Sequence, residues 1–373
     1  MKRKTTHLLG TILLTLLMAL NTNLYSQESN TELVRMGVVG LVHTHVHWLL
    51  GREASDDLEI VGIVEPNREL AKRYSEQHGY SMDIVFDTME EMIAQTKPEA
   101  VTAFNTIYDH LEVVKVCAPK GIHIMVEKPL AVSLAHAREM EKIARKYNVM
   151  LLTNYETTWY ATNHRVYDLV HKEQKLGDIR KVVVHDGHRG PAEIGVNEEF
   201  LEWLIDPKQN GAGALTDFGC YGANLMTWLM KGEAPLTVTA ITQTMKPELY
   251  PLVDDEATII LTYPKAQGII QASWNWPISR KDMEVYGQKS AAVAKNRSEL
   301  TVKLSDESPL ETYTLEERKA PFNDPFGYFS AMIRGKIDYD EYALSSLENN
   351  MIVMQILDAA IQSAKKGKTI QLK

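Results

Sequence analysis

Short apolar runs alternate with amphipathic stretches from residue 34 to residue 153, and there the alternation stops. Val34–Gly40, Leu58–Val64, Ala100–Phe104 and Ile122–Val126 have strand length, and Val149–Thr153 is a fifth run. Between them Arg68–His78, Tyr108–Pro119 and Leu134–Tyr147 space their apolar residues as helices do. Runs this short and this apolar, separated by helices, predict a parallel sheet covered on both faces. Later, 179–187, 235–245, 253–263, 267–276 and 281–286 read as strands, several of them alternating, as in Ala257-Thr-Ile-Ile-Leu-Thr-Tyr263. Strands in succession with short turns predict a largely antiparallel, open sheet. The expected fold is therefore an α/β domain, 34–150, followed by an α+β domain, 151–345. A closing amphipathic helix within 346–373, stopped by Gly367, packs back on them. No flexible linker marks the boundary near 150, so the domains are expected to pack closely.

A chain of 373 residues with 45% apolar content is too long for one ordinary core, which agrees with two domains. A formal charge of −9 argues against a nucleic-acid partner, since phosphates call for a basic field. The chain starts with a basic stretch that contains no acidic residue. Lys2-Arg3-Lys4 precede an apolar stretch, Leu8–Leu20, followed by polar Asn21–Asn30. That order reads as a secretory signal over 1–26, too short to span a bilayer, so the mature chain is expected in the periplasm with no stable membrane span. No Arg-Arg pair or lipid-accepting Cys accompanies it. Cys117 and Cys220 are core residues or a pair; two cysteines make neither a disulfide framework nor a zinc site.

Gly37-Val-Val-Gly40-Leu41-Val42-His43-Thr-His45 falls where the first strand turns into a helix. Gly40 stands at the first position of G-x-G-x-x-G, while Val42 and His45 stand at the second and third. Glu65 follows the second run, 25 residues after Gly40. There it can accept hydrogen bonds from a ribose diol, which favours NAD, although Arg68 keeps NADP open. His43, His45 and His47 alternate, a spacing that also suits metal chelation. If a helix starts here, His43 and His47 share a face and His45 points away. No Asp or Glu sits near the cluster in sequence and no (β/α)₈ barrel continues, so the imidazoles are expected to line the phosphate loop, or His43 to reach the substrate, and no metal is expected.

Glu127-Lys128-Pro129 follows directly on the fourth run, where open α/β sheets bind ligands. A shielded Lys there can have a depressed pKa and transfer protons, and Pro129 can set a sharp turn through a cis bond. With Ala103-Phe-Asn105-Thr-Ile-Tyr-Asp-His110 and Ala118-Pro-Lys-Gly-Ile-His-Ile-Met-Val-Glu127-Lys128-Pro129-Leu130, the chain resembles the Gfo/Idh/MocA oxidoreductases. Asn210-Gly-Ala-Gly-Ala-Leu-Thr-Asp217-Phe-Gly-Cys-Tyr221 and Ser346–Asp358 extend the resemblance over residues 34–372. Many members carry His where Tyr221 stands; the Tyr form resembles the glucose–fructose oxidoreductase and dihydrodiol dehydrogenase branch.

The resemblance implies a Rossmann domain binding NAD (or NADP) through Gly40, Leu41, Val42, His43, Glu65, Asn105, His110, Glu127 and Lys128. It implies catalytic roles for Lys128 and Asp217, with Tyr221 beside the Lys and its phenol pKa lowered by that cation. It also implies a homo-oligomer formed through the open sheet. Sugar contacts are expected from Tyr155, Trp159, His188, Trp203 and Trp276, because aromatic faces stack on pyranose rings. The expected function is an exported oxidoreductase moving hydride at a sugar or glycoside hydroxyl. A redox-neutral, NAD-dependent glycosidase and a non-catalytic sugar-binding relative are the alternatives.

Overall fold

The computed structural model describes residues 33–53, 56–305 and 307–372, so the expected leader lies outside the described residues. The predicted alternation forms one parallel sheet: β1 (Val34–Val39), β2 (Leu58–Val64), β3 (Val85–Phe86), β4 (Ala100–Ala103), β5 (His123–Glu127) and β6 (Leu151–Asn154). The strand order is β3-β2-β1-β4-β5-β6, with every neighbouring pair parallel. Chain direction across the sheet reverses between β1 and β4. The crevice outside the carboxyl ends at such a point is where doubly wound folds hold ligands.

Helices α1 (Val46–Leu50), α2 (Arg68–His78), α3 (Met89–Thr96), α4 (His110–Cys117) and α5 (Leu134–Tyr147) lie between the strands. Their starts have local causes. The side chains of Asn67, Thr88 and Ser133 accept the backbone N–H groups of Leu70, Glu91 and His136, filling orphan donors of the first turn. Gly79 and Asn148 end α2 and α5 in left-handed backbone.

The second sheet contains β7 (Ile179–Gly187), β8 (Thr237–Gln243), β9 (Glu256–Thr262), β10 (Gln267–Ser273), β11 (Arg280–Gly287), β12 (Ala291–Ala294), β13 (Glu299–Lys303), β14 (Glu311–Thr314) and β15 (Ile370–Gln371). Its order is β14-β13-β12-β11-β7-β10-β9-β8-β15, and all pairs are antiparallel except β7 with β10. One face buries Val182, Val184, Ile259, Leu261, Ile270, Met283 and Val285. Helix α6 (Glu198–Leu204) lies in the connection after β7, and α7 (Gly219–Leu229) packs on β7 and β10. On the other face Val183, Ile260, Ile269 and Val293 are half-buried and Ile241 is exposed.

The closing helix α8 (Leu347–Lys366) packs on β8 and α7 and also on α5 and β6 of the first sheet. One apolar cluster consequently runs from Val126 and Leu151 through Leu357 to Ile259. Cys117 and Cys220 are both buried and free, which settles the choice left open by the sequence against a pair.

Candidate active site

β1 turns into its loop at Gly40, which has φ of 80°. A Cβ there would stand 2.8 Å from the Cβ of Asn105, so the left-handed conformation and the close approach both require Gly. The next residues are fixed from β2. Glu65 accepts the Leu41 N–H (3.0 Å) on one carboxylate oxygen and the Asn67 N–H (2.9 Å) on the other. Burial pushes its carboxyl up, and those two N–H groups work against the rise. Glu65 thus braces the loop at the position expected for a ribose partner. Arg68 donates to the Val85 carbonyl (3.1 Å) and faces Asp87 (3.7 Å), so its guanidinium is engaged on β3.

The histidines do not sit as expected. α1 starts only at Val46, leaving His45 as its N-cap, so His43 and His45 turn one way and His47 the other. His47 meets His78 (2.8 Å), not His43. A carboxylate also lies against the cluster: Glu127, at the end of β5, is 2.8 Å from His45 Nδ1 and 3.9 Å from His43 Nε2. Sequence distance, 82 residues from His45, hid it. Burial opposes the charge on Glu127, yet its polar neighbours, His45 foremost, outweigh it and hold the carboxyl down at about 2. Asn154 donates to its other oxygen (2.8 Å).

These three groups have the composition of a cation site, and their hydrogen bonds fix the His43 tautomer. The His45 backbone N–H donates to His43 Nδ1 (3.2 Å), so the neutral His43 ring carries its proton on Nε2. A donor, not a lone pair, faces Glu127. Burial keeps His43 well below its ordinary pKa, in the neutral form.

Four buried polar atoms around the crevice lack a hydrogen-bond partner among the described residues: His43 Nε2, Asn105 Oδ1, His110 Nε2 and Trp203 Nε1. His110 Nδ1 lies 3.1 Å from the Leu130 carbonyl and donates to it, which leaves Nε2 as an acceptor. Interiors seldom leave such groups unpaired, so donors and acceptors collected beyond β1 and β4 fit a polar ligand of nucleotide type. Trp203 and Phe200 of α6 pack on the His43 ring, with centroids 5.8 and 4.9 Å away. Glu199 ties α6 to Tyr74 (2.6 Å) and Arg73 (2.5 Å), and Asn197 donates to the Tyr74 hydroxyl (2.8 Å).

Lys128 follows β5, and its bond to Pro129 is cis. Its buried ammonium pairs with Asp217 Oδ1 and donates to the Asp217 carbonyl (3.2 Å). Trp274 Nε1 donates to Asp217 Oδ2 (3.0 Å). Burial favours a neutral Lys128, but Asp217 more than offsets it and the pKa rises. The expected depression is therefore corrected: the carboxylate of Asp217 outweighs the burial that would produce it. The Tyr221 ring centroid lies 5.3 Å from Lys128 Nζ and 4.4 Å from Lys281 Nζ. Tyr155 meets it edge-on at 5.4 Å. Burial, with Glu156 and Asp186 nearby, pushes the Tyr221 phenol well up, against the lowering expected from Lys128.

Asp217 closes a helical turn, Ala214–Asp217, anchored by a residue the sequence did not single out. Asp254 accepts Gly213 N–H (3.0 Å) and Leu215 N–H (2.7 Å) with its carboxylate and Ala214 N–H (2.9 Å) with its carbonyl. A Cβ on Gly213 would fall 1.7 Å from that carbonyl oxygen.

Next to Tyr221 opens a cavity of about 760 Å³ lined by Glu156, Tyr160, Asp186, His188, Phe218 and Lys281, among others. Lys281 binds Glu156 (2.7 Å), and the Tyr160 hydroxyl donates to the other Glu156 oxygen (2.6 Å). Burial opposes the Glu156 charge, but Lys281 prevails and holds it at about 2. Glu156, Asp186 and Lys281 were missed from sequence, although one signal was present. Asp186 continues the inward parity of Val182 and Val184, and Lys281 is its cross-strand partner. A second cavity of about 660 Å³, lined by His171, Asp178 and Glu233 among others, includes none of the residues singled out above.

Of the aromatic residues expected to bind sugar, His188 lines the larger cavity and Tyr155 packs against Tyr221. Trp276 also borders it, its backbone N–H donating to the His188 carbonyl (3.0 Å) and its ring lying near His185 with centroids 6.2 Å apart; the remaining two pack on other groups. Trp159 donates to Asn154 (3.1 Å) and packs on Tyr328, and Trp203 covers His43.

A parallel sheet in this order, with a Lys at the end of β5 and an Asp–Tyr helical segment packed on a second sheet, defines a Rossmann-type nucleotide-binding domain joined to an α+β domain. Residues 34–155 match the oxidoreductase family with an NAD-binding Rossmann fold, and 165–293 match the GFO/IDH/MocA C-terminal domain. The chain belongs to the Gfo/Idh/MocA family. It is 27% identical over 219 residues to a trans-1,2-dihydrobenzene-1,2-diol dehydrogenase of Xenopus tropicalis, covering 58% of this chain and 61% of that one. To a 1,5-anhydro-D-fructose reductase of Ensifer adhaerens it is 25% identical, covering 56% and 59%. The matched region thus spans about three fifths of these relatives' length. Among solved structures, an aldose-aldose oxidoreductase from Caulobacter crescentus complexed with glycerol superposes with a TM-score of 0.76, at 20% identity over 91% of this chain and 99% of that one. An inositol dehydrogenase homolog from Azotobacter vinelandii complexed with NAD+ gives 0.78, at 16% identity over 91% and 98%.

Proposed function

We propose that this chain is an exported, NAD-dependent oxidoreductase acting on a hydroxyl or ketone of a sugar or glycoside. The observation that carries the reading is the buried Lys128–Asp217 pair at the end of β5 beside Tyr221, whose ring meets Lys281 of the 760 Å³ cavity wall. Gly40, Leu41, Val42, His43, Glu65, Asn105, His110, Glu127 and Lys128 would hold the dinucleotide. Bound NAD supplies a hydride acceptor, and NADH the donor. Engagement of Arg68 on β3 supports NAD over NADP.

The chain's own work is proton handling and orientation. Lys128 and Tyr221 both hold their protons, so each can donate a hydrogen bond to a substrate oxygen. When a ketone is reduced, one of them gives its proton to the oxygen as negative charge develops there. When an alcohol is oxidised, its proton returns to that same group, which must first have lost its own. Asp217 fixes the ammonium in place and keeps it charged. The relatives' printed activities, on diols and sugar-derived ketones, support this class of substrate. The half-buried apolar face of the second sheet supports pairing with a second copy of the chain.

The Lys281–Glu156 pair, with Lys281 Nζ 4.4 Å from the Tyr221 ring centroid, favours a second reading. A redox-neutral glycosidase needs a further proton-transfer group, to remove the proton next to a transient ketone. The two readings separate in one assay: purified chain with NAD is given aryl and alkyl glycosides, and both reduced nicotinamide and released aglycone are measured. Stoichiometric NADH without aglycone supports the dehydrogenase; aglycone without net NADH supports the glycosidase. If neither appears, or either survives Lys128→Ala, the assignment of the site is wrong.

A further inference from the structure

Asp186 is the last but one residue of β7, on the buried side of the sheet with 1% of its surface exposed, yet it lines the 760 Å³ cavity. Neither carboxyl oxygen has a hydrogen-bond partner among the described residues. The Lys281 ammonium stands 4.0 Å from Oδ1, but is already bonded to Glu156 at 2.7 Å. A buried carboxyl left unpaired is costly, so two unmet oxygens at a cavity wall mark a place for a ligand's polar groups.

The surroundings say which groups. The cations lining the cavity are already matched: Arg280 holds Asp282 (2.7 and 2.8 Å), Lys281 holds Glu156, and Lys295 holds Glu299 (2.5 Å). An arriving anion would meet matched cations and one further carboxyl. A hydroxyl suits Asp186 in either protonation state, because it both donates and accepts. Two oxygens on one carboxyl carbon suit two hydroxyls on neighbouring carbons.

We propose that Asp186 sets the specificity of the cavity by taking two adjacent hydroxyls of a neutral polyol ring and turning away sugar acids. This rests on the reading of the Lys128 site as a sugar oxidoreductase, but it names the residue that selects the ring and the charge class selected.

The test is calorimetric titration of the NAD-loaded chain with methyl glucoside, methyl galactoside and myo-inositol, and with the methyl glucuronide and galacturonide. At least one neutral ring should bind about tenfold or more tighter than its acid counterpart, roughly the worth of one hydrogen bond to a charged group. Asp186→Asn should weaken the neutral ring about tenfold and narrow or reverse the preference, which a merely structural role would not do. The wild-type comparison of ring and acid is decisive even if that variant folds poorly. Equal binding of neutral and acid forms, an unchanged preference in a folded Asp186→Asn, or no binding across the panel overturns the assignment. Oxidation of the bound ring, followed in parallel, separates the two claims. Selective binding without oxidation leaves Asp186 standing and removes the oxidoreductase reading; oxidation without selectivity does the reverse.

Discussion

Lys128 is charged in a place that burial alone would make neutral, and Asp217 is the reason. Removing one partner of such a pair leaves the other uncompensated, at a cost of about 3–5 kcal/mol. Lys128→Met should therefore lower stability by roughly that amount and reduce turnover by about 10²–10⁴-fold, the usual worth of a positioned proton donor. Lys128→Met with Asp217→Asn should recover part of the stability in urea unfolding and none of the turnover; recovery of both would make the pair structural only. The raised Lys128 and Tyr221 also set a direction in pH. Both must lose a proton to act as a base, so oxidation should climb through the alkaline range while ketone reduction falls; a flat profile for both would contradict their roles. His110 gives a separate signal. Burial pushes it to about 4, against about 6.5 in the unfolded chain. Between these values the unfolded chain holds a proton that the folded chain lacks. Stability is whole above pH 6.5 and falls toward pH 4, by up to about 1.4 kcal/mol per pH unit for this group. Urea unfolding of wild type and His110→Gln from pH 7 to 4.5 should show a shallower slope in the variant. Lys128, Asp217 and Tyr221 stand out in sequence because they lie in local motifs, and the structure brings them together. Their proton affinities were not legible there, because Asp217 reaches Lys128 across 89 residues and Glu156 reaches Tyr221 from a third segment.

At the level of elements, the turn that carries Asp217 is held by Asp254. Gly213→Ala would place a methyl against a backbone oxygen that cannot move away cheaply. It should displace the turn, costing about 1–3 kcal/mol and a larger share of turnover than of stability. Equal stability and turnover in Gly213→Ala would show that Asp217 does not need this anchor. α6 has the other informative contact, since Glu199 fastens it to α2 across the nucleotide loop. Glu199→Gln should speed NAD release several-fold in a stopped-flow chase and leave unfolding nearly unchanged; an unaltered release rate would mean α6 does not cover the nucleotide. The five long strands of the second sheet were legible from alternation. The others were not: β12 is Ala-Ala-Val-Ala, β14 is polar and exposed at an edge, and β3 and β15 have two residues each. β13 does alternate, with Leu300 and Val302 inward, but it is only five residues long with charged ends. For the histidine loop the failure was one of boundary. Starting the helix at Val46 rather than earlier exchanges which imidazoles share a side.

Across the whole molecule, α8 joins the two sheets. It buries Leu347, Met351, Val353, Met354, Ile356 and Leu357. At about 1.5–3 kcal/mol for each such side chain, its loss approaches or exceeds the roughly 5–15 kcal/mol that keeps a domain folded. A chain ending at residue 345 should fail to fold, and a soluble, cooperative product from it would show that the helix is an addition to a finished core. The overall architecture was legible because period and run length are properties of consecutive residues. The cavity was not, since its wall is assembled from β7, β11 and the segment after β6. The central claim is that a loop with Val42 and His45 in place of two glycines still forms a dinucleotide site, with His43, Asn105, His110 and Trp203 presenting unpaired polar atoms to it. The direct measurement is the amount of NAD retained per chain by purified residues 27–373 after equilibration with the dinucleotide. Saturation at one NAD per chain, with NADP weaker, is the expected result. No saturable binding of NAD or NADP would contradict the account and leave the chain a sugar-binding relative without redox chemistry.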